Sequence, residues 1–153
     1  MIGYLRTTTL QAEQEYHRAK LRRHNLALHG FGIVEGLEVQ VEEGSDAPPG
    51  RVRVSAGYAL DSHGNDMIVR QCVAIALPQG PEELFVSLRY HEIPCGQVPS
   101  PAGEPAFSSW IEACVVALVN AVAAPRIALA RLLYIDGKWN VDPSFVPPRA
   151  SRG

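Results

Sequence analysis

From Gly36 onward the sequence abandons helical spacing for strict alternation. "GLEVQVEE" and "RVRVSAG" place apolar residues at every second position, the period at which side chains of an extended strand share a face. "GYALDSHGNDMIV" sets Asp61-Ser62-His63-Gly64-Asn65 between Ala59-Leu60 and Met67-Ile68-Val69, the signature of a hairpin. "CVAIALP", "ELFVSLRY" with Leu84, Val86 and Leu88 on one side, "SWIEACVVALV" and "RIALARLLYID" continue the series, and an Asp136-Gly137 turn leads into "KWNVD". Polar loops, "GSDAPPG" and Pro94 to Pro105, interrupt it. About eight or nine short strands behind one helical pattern predict a mainly β fold, an antiparallel β-sandwich preceded by one N-terminal α-helix. At 153 residues the chain has the size of one domain that buries a core without metals or disulfides. The expected division is a leading segment and helix over 1–30, the sandwich over 31–142 and an extended proline-rich tail over 143–153.

The helix is expected from about Thr9 to His29. Thr8 with Gln11 has capping-box spacing, Glu13 and Glu15 lie early, Lys20, Arg22 and Arg23 lie late, and Gly30 supplies the stop. At about 100° per residue, Leu10, His17, Leu21 and Leu28 share one side. Ala12, Tyr16, Ala19 and Leu26 share the opposite one, and Gln11, Glu15, Arg18 and Arg22 form a polar strip between them. A helix lying on its own sheet needs one apolar face. Two opposed faces predict that the second meets another subunit or another layer.

The charged and ionisable residues exclude more than they suggest. Net charge is −2, and the basic residues after Tyr16 lack aromatic interleaving, so nucleic acid is not an expected partner. His17 and His24 are two helical turns apart, too far to bind one ion, and His29 brings no third ligand; no metal or cofactor is expected. They read instead as half-buried hydrogen-bonding residues. Cys72, Cys95 and Cys114 are an odd number without CxxC spacing, which suits reduced thiols. The apolar run Ala113 to Ala124 contains Asn120 and is too short to span a bilayer, so no membrane insertion is expected. No GxSxG, HExxH, Walker or GxGxxG pattern occurs, and Asp61 and Asp66 sit at a turn where aspartate serves the backbone. The expectation is a protein that is not an enzyme, in the cytoplasm or inside a larger particle. "HGFGIVEG" reads as a structural corner: Gly30, Gly32 and Gly36 let the chain leave the helix, reverse and enter the sheet with Phe31 and Ile33 pointing inward.

With that corner in place, "YLRTTTLQAEQEYHRAKLRRHNLALHGFGIVEGLEV" followed by "VSAGYALDSHGNDMIV" resembles the tail-fibre and receptor-binding adaptor domains of phage-like contractile machines. It is also similar to the N-terminal shell domain of the type VI secretion baseplate subunit TssK, and "GKWNVDPSFVPPRA", with Trp139, Asp142, Phe145, Pro147 and Pro148, is similar to that domain's close. The resemblance implies a β-sandwich, usually a homotrimer, that clamps onto baseplate wedge or fibre proteins through its N-terminal segment. Since the chain stops at Gly153, just past this element, an adaptor is expected rather than a receptor-binding protein. Tyr4, Leu5, Leu10, Tyr16, Leu21, Leu26 and Leu28 are the expected interface, with Arg18 and Arg22 as a polar register. Phe145, Pro147 and Pro148 would dock the tail, held by burial of Phe145 and Val146. The alternative is a carbohydrate- or receptor-binding module using Trp110 or Trp139, which buried indoles would count against.

Overall fold

The computed structural model describes residues 2–43, 50–98 and 106–151, with side chains placed at 12–13, 15–43, 50–94 and 113–151. The loop at 44–49, the segment 99–105 and the side chains of Tyr4, Leu5, Leu10 and Trp110 lie outside the described residues.

A single helix, α1 (Ile2–His29), opens the chain. It begins at Ile2, not Thr9, so Thr8 is an interior residue and not the cap. Three threonines cost the helix only a few tenths of a kcal/mol each. Propagation from the good helix formers that follow outweighs that. The other end agrees with expectation: Gly30 turns left-handed at φ 68° and its N–H returns to the Leu26 carbonyl at 3.3 Å.

Ten strands follow: β1 (Gly32–Gly36), β2 (Val39–Glu42), β3 (Arg51–Val54), β4 (Gly57–Leu60), β5 (Asp66–Val69), β6 (Val73–Ala76), β7 (Glu83–Val98), β8 (Ala106–Val119), β9 (Ile127–Ile135) and β10 (Lys138–Val141). They form three antiparallel sheets, ordered β1-β4-β5, β2-β3-β6 and β10-β9-β7-β8. The mainly β fold with a leading helix is as the alternation implied. β1 falls where the glycine spacing suggests only a corner. β7 also runs through Pro94, where a loop was expected. It pairs with β9 only over Glu83–Leu88 and beyond that with β8 alone, so one edge of Pro94 asks for no N–H. The far halves of β7 and β8 thus make a two-stranded arm.

Period two becomes a core through cross-strand rows. In β2-β3-β6, Val39, Val54 and Val73 stand opposite one another, as do Val41, Val52 and Ile75. Val52 and Val54 are fully buried, and the other face carries Arg53 clasping Glu42 at 2.8 Å. Ile33, Ala59 and Met67 form the matching row of β1-β4-β5. Leu84, Val86 and Leu88 face Leu132, Ala130 and Ile127 of β9. A bulge between Val86 and Ser87 shifts the register there. All of these join one buried cluster, to which each fully buried Val or Leu contributes about 1.5–3 kcal/mol.

The tail closes back on the start of the sheet. Ile33 N–H donates to the Pro148 carbonyl at 2.8 Å, Ala150 N–H to the Ile33 carbonyl at 3.1 Å, and Ser151 N–H to the His29 carbonyl at 2.8 Å. Prolines that cannot donate therefore accept, and Ala150 and Ser151 supply the donors. This replaces the expected anchor. Phe145 is half-buried edge-on to Phe85 with centroids 6.1 Å apart, but Val146 is 80% exposed. Phe31 also departs from expectation: it is 48% exposed while Ile33 is buried, because Phe31 precedes β1 and the positive φ of Gly32 (125°) between the two breaks the alternation that would otherwise put them on one face. Gly32 has to be glycine. At φ 125° a Cβ would lie 2.5 Å from the Pro148 and Arg149 backbone. Upstream, Asp142 fixes the turn into the tail: its carboxylate accepts the Ser144 hydroxyl at 2.6 Å, the Ser144 N–H at 2.9 Å and Arg131 Nη1 at 3.1 Å.

Two outcomes follow from the tail. Gly32→Ala is expected to cost about 2 kcal/mol or more and to expose residues 146–151 to protease, read by thermal unfolding and limited proteolysis. Uncut tail at unchanged midpoint would refute the close approach. The Ser144 hydroxyl and N–H, then Arg131, hold the Asp142 carboxyl below its ordinary range. Its contribution to stability is accordingly complete above the ordinary carboxylate range and is lost as pH falls through that range toward the depressed folded value. Asp142→Asn should flatten this acid limb in unfolding curves taken from pH 6 down to pH 2.

Candidate partner interface

α1 meets the body of the protein through a polar strip, not an apolar one. Arg18, Arg22, Asn25 and His29 recur at steps of four, three and four, which puts them on one face. Glu92 of β7 receives them: its Oε1 accepts from Arg18 Nη1 at 2.7 Å, Arg22 Nη2 at 3.2 Å and the Tyr90 hydroxyl at 2.8 Å. Burial works against the Arg18 charge, but Glu92 and then Glu15 outweigh it and raise its pKa. One turn on, Arg22 Nε donates to Asn65 Oδ1 at 2.6 Å, and the buried Asn25 donates its amide to the Gly64 carbonyl at 2.9 Å. His29 ends the strip with Nδ1 3.0 Å from the Ser151 carbonyl.

The turn between β4 and β5 is shaped to receive the helix. Asp61, fully buried, accepts the N–H groups of His63 and Asn65 at 2.9 and 2.8 Å and the Asn65 amide at 2.9 Å. That cage holds Gly64 at φ 85° against the helix backbone, where a Cβ would lie 2.3 Å from the Arg22 carbonyl oxygen. Asp66 accepts the Tyr58 hydroxyl, and burial first, then Asp66, raises that phenol's pKa.

Docking on this strip leaves both apolar faces of α1 uncovered. Leu21 and Leu28 are 51% and 57% exposed on one side, and Tyr16 and Leu26 are 61% and 38% exposed on the other. The expectation that one apolar face lies on the chain's own sheet is therefore corrected: Arg18 and Arg22 seat the helix, because the surface beneath it presents carboxylates and carbonyls. His17 and His24 are exposed rather than half-buried, on the Leu21 side; of the three histidines only His29 is partly covered.

The remaining expected residues divide. Phe145 and Pro147 line a cleft with Ile33 and Leu37, and Pro148 meets β1 through its carbonyl, which accepts the Ile33 N–H. Gly30 and Gly36 are left-handed turns at φ 68° and 63°, as a corner requires. Trp139 is buried, its Nε1 donating to the Pro78 carbonyl at 2.8 Å, so it offers no stacking platform for a sugar. Among the described residues no three His, Cys, Asp or Glu groups come together as a metal site, and no helix is long and apolar enough to cross a membrane. A cleft of about 560 Å³ over Glu35, Tyr58 and Ile68 holds one carboxylate and a phenol whose hydroxyl donates to Asp66, which is no nucleophile–base pair. Sequence reasoning missed Glu92, Asn25 and Gly64. Glu92 had a signal: it continues the inward parity of Leu84, Val86, Leu88 and Tyr90, and a carboxylate at such a place demands cations.

No family model matches the sequence, and no curated protein sequence matches it. Solved structures do. A chain of the type VI secretion TssK–TssF–TssG baseplate subcomplex superposes with a TM-score of 0.52 at 18% identity, covering 93% of this chain and 57% of that one. TssK of the EAEC type VI system, solved with a nanobody, gives 0.51 at 16% identity, covering 92% of this chain and 38% of that one. The chain thus spans between about two-fifths and three-fifths of those lengths. The likeness is one of fold: this β-sandwich with its leading helix is an architecture found in the TssK baseplate protein.

If Glu92 and Gly64 seat the helix, Glu92→Gln should weaken docking by about 1–3 kcal/mol, and Gly64→Ala should prevent close approach altogether. Hydrogen exchange would read both as lost protection across residues 16–28, with the β7 and β9 amides unchanged. Unaltered helix protection in both variants would show that α1 is held by something else.

Proposed function

We propose that this chain is a structural subunit of a phage-tail-like or type VI baseplate, an adaptor that attaches a fibre or a neighbouring subunit through α1. In this reading it works without catalysis, as a homotrimer assembled in the cytoplasm or carried in the particle, and its partners are baseplate wedge or fibre proteins. The likeness of fold to TssK, which one of those structures holds with TssF and TssG, supports the baseplate setting. One observation carries the adaptor role: a helix bound by its polar strip that offers Tyr16, Leu21, Leu26 and Leu28 outward. Such apolar side chains on two sides of one helix form a surface that partners cover. Arg18 and Arg22 set the direction in which that surface points. Tyr4, Leu5 and Leu10 extend the contact toward the N-terminus, and Phe145, Pro147 and Pro148 fix the corner behind it.

The test is co-purification with TssF- and TssG-like wedge proteins. Leu21→Glu/Leu28→Glu and Tyr16→Glu/Leu26→Glu leave the docking strip intact, so each pair folds. At least one pair should lower wedge affinity by about 2 kcal/mol or more, roughly thirtyfold, and deletion of Met1 to Thr7 should weaken it further. Sedimentation of the unaltered chain should give a trimer. Full wedge binding by both glutamate pairs would overturn the adaptor reading, and a monomer at high concentration would overturn the trimer.

A further inference from the structure

β8 ends its sheet, pairing with β7 and, among the described residues, with no strand on its other side. Over Ala113–Val119 it reads Ala-Cys-Val-Val-Ala-Leu-Val, with Val115 39% exposed. Edge strands are ordinarily protected from pairing by lysine, proline, a bulge or a cover. This stretch has no charge and no proline, and its pairing to β7 shows no register shift. Alongside lies a cleft of about 490 Å³, with Ala113, Cys114 and Val116 on one wall and Ile68, Val69, Arg70, Gln71 and Val73 on the other. The walls touch at one end, where Cys114 Sγ donates to the Ile68 carbonyl at 3.2 Å. A cleft of this size holds about four residues of extended chain, not a second sheet.

We propose that this cleft takes an extended peptide segment of a partner protein, which adds to β8 as the next strand. The unpaired backbone of β8 supplies the main-chain hydrogen bonds. The apolar wall of Cys114, Val116 and Val73 selects an uncharged, alternating segment. Arg70 at the rim is exposed and has no ion pair among the described residues, so the segment carries an acidic residue at that end.

The probe is an acetylated, amidated heptapeptide of alternating valine and threonine with one terminal glutamate, titrated into the whole protein by calorimetry and hydrogen exchange. Two controls replace the glutamate by lysine or N-methylate alternate amides. The glutamate peptide should protect amides of Ala113–Val119 while leaving residues 16–28 unchanged. The lysine peptide should bind at least tenfold more weakly, the N-methylated one should not bind, and Arg70→Glu should reverse the charge preference. Equal binding of all three peptides, protection elsewhere, or no binding at millimolar concentration would overturn the proposal. None of these outcomes bears on α1, so wedge attachment through the helix stands or falls separately.

Discussion

The inward face of β7 is the constraint on which the other elements depend. Leu84, Val86 and Leu88 fill the core between the sheets, and the same parity carries on to Tyr90 and Glu92. Each step of two residues keeps the side chain on one face, so the strand that closes the core also decides what lies beyond it. Where β9 stops pairing, apolar residues give way to a hydroxyl and a carboxylate. Only a surface offering cations and amide donors can cover that end, and α1 offers Arg18, Arg22 and Asn25.

That exchange of core for charge explains what the amino-acid sequence reveals and what it hides. The strands were legible because alternation is a local property: each of the runs read between Gly36 and Asp142 contains a strand, although β7 and β8 extend beyond their runs into the stretch read as a loop. The Gly30 stop was legible for the same reason. The start of α1 was not, since a threonine run that resembles a cap is also tolerated inside a helix. The seat of α1 was hidden by a different cause. Helical periodicity assumes that apolar faces are covered, and here the covered face is polar, because its complement lies 70 or more residues away at Glu92. The tail shows the same limit: prolines argue against strand pairing only as donors, and Pro148 takes part as an acceptor.

Closure of the fold depends on backbone rather than side chains where the two ends meet. β1 is bonded to β4 on one edge and to the tail on the other, through Ile33. Ser151 continues that line to the His29 carbonyl, the last of α1. Such an orphan carbonyl needs a partner, and the tail meets the need that a cap or water would otherwise meet. Helix end, first strand and tail are one hydrogen-bonded unit, so the direction in which α1 leaves the sandwich is set twice, by this joint and by Glu92.

Energy magnitudes separate direction from adhesion. Exposed ion pairs contribute at most about 1 kcal/mol each, and the Arg18 and Arg22 pairs are only partly sheltered, with Glu92 27% exposed. They gain from sharing one acceptor, since ordering Glu92 for the first arginine lowers the entropy lost to the second. Even so, such contacts cannot match the several apolar side chains that a core-packed helix buries at about 1.5–3 kcal/mol each. What polar seating does supply is geometry: a carboxylate oxygen, a glycine carbonyl and an asparagine amide accept or donate along few directions. A helix packed through leucines would bury that apolar surface. Seated through Arg18, Arg22 and Asn25, α1 keeps Tyr16, Leu21, Leu26 and Leu28 free and fixes where they face. The division of labour in this helix is therefore between residues that aim it and apolar residues that stay exposed.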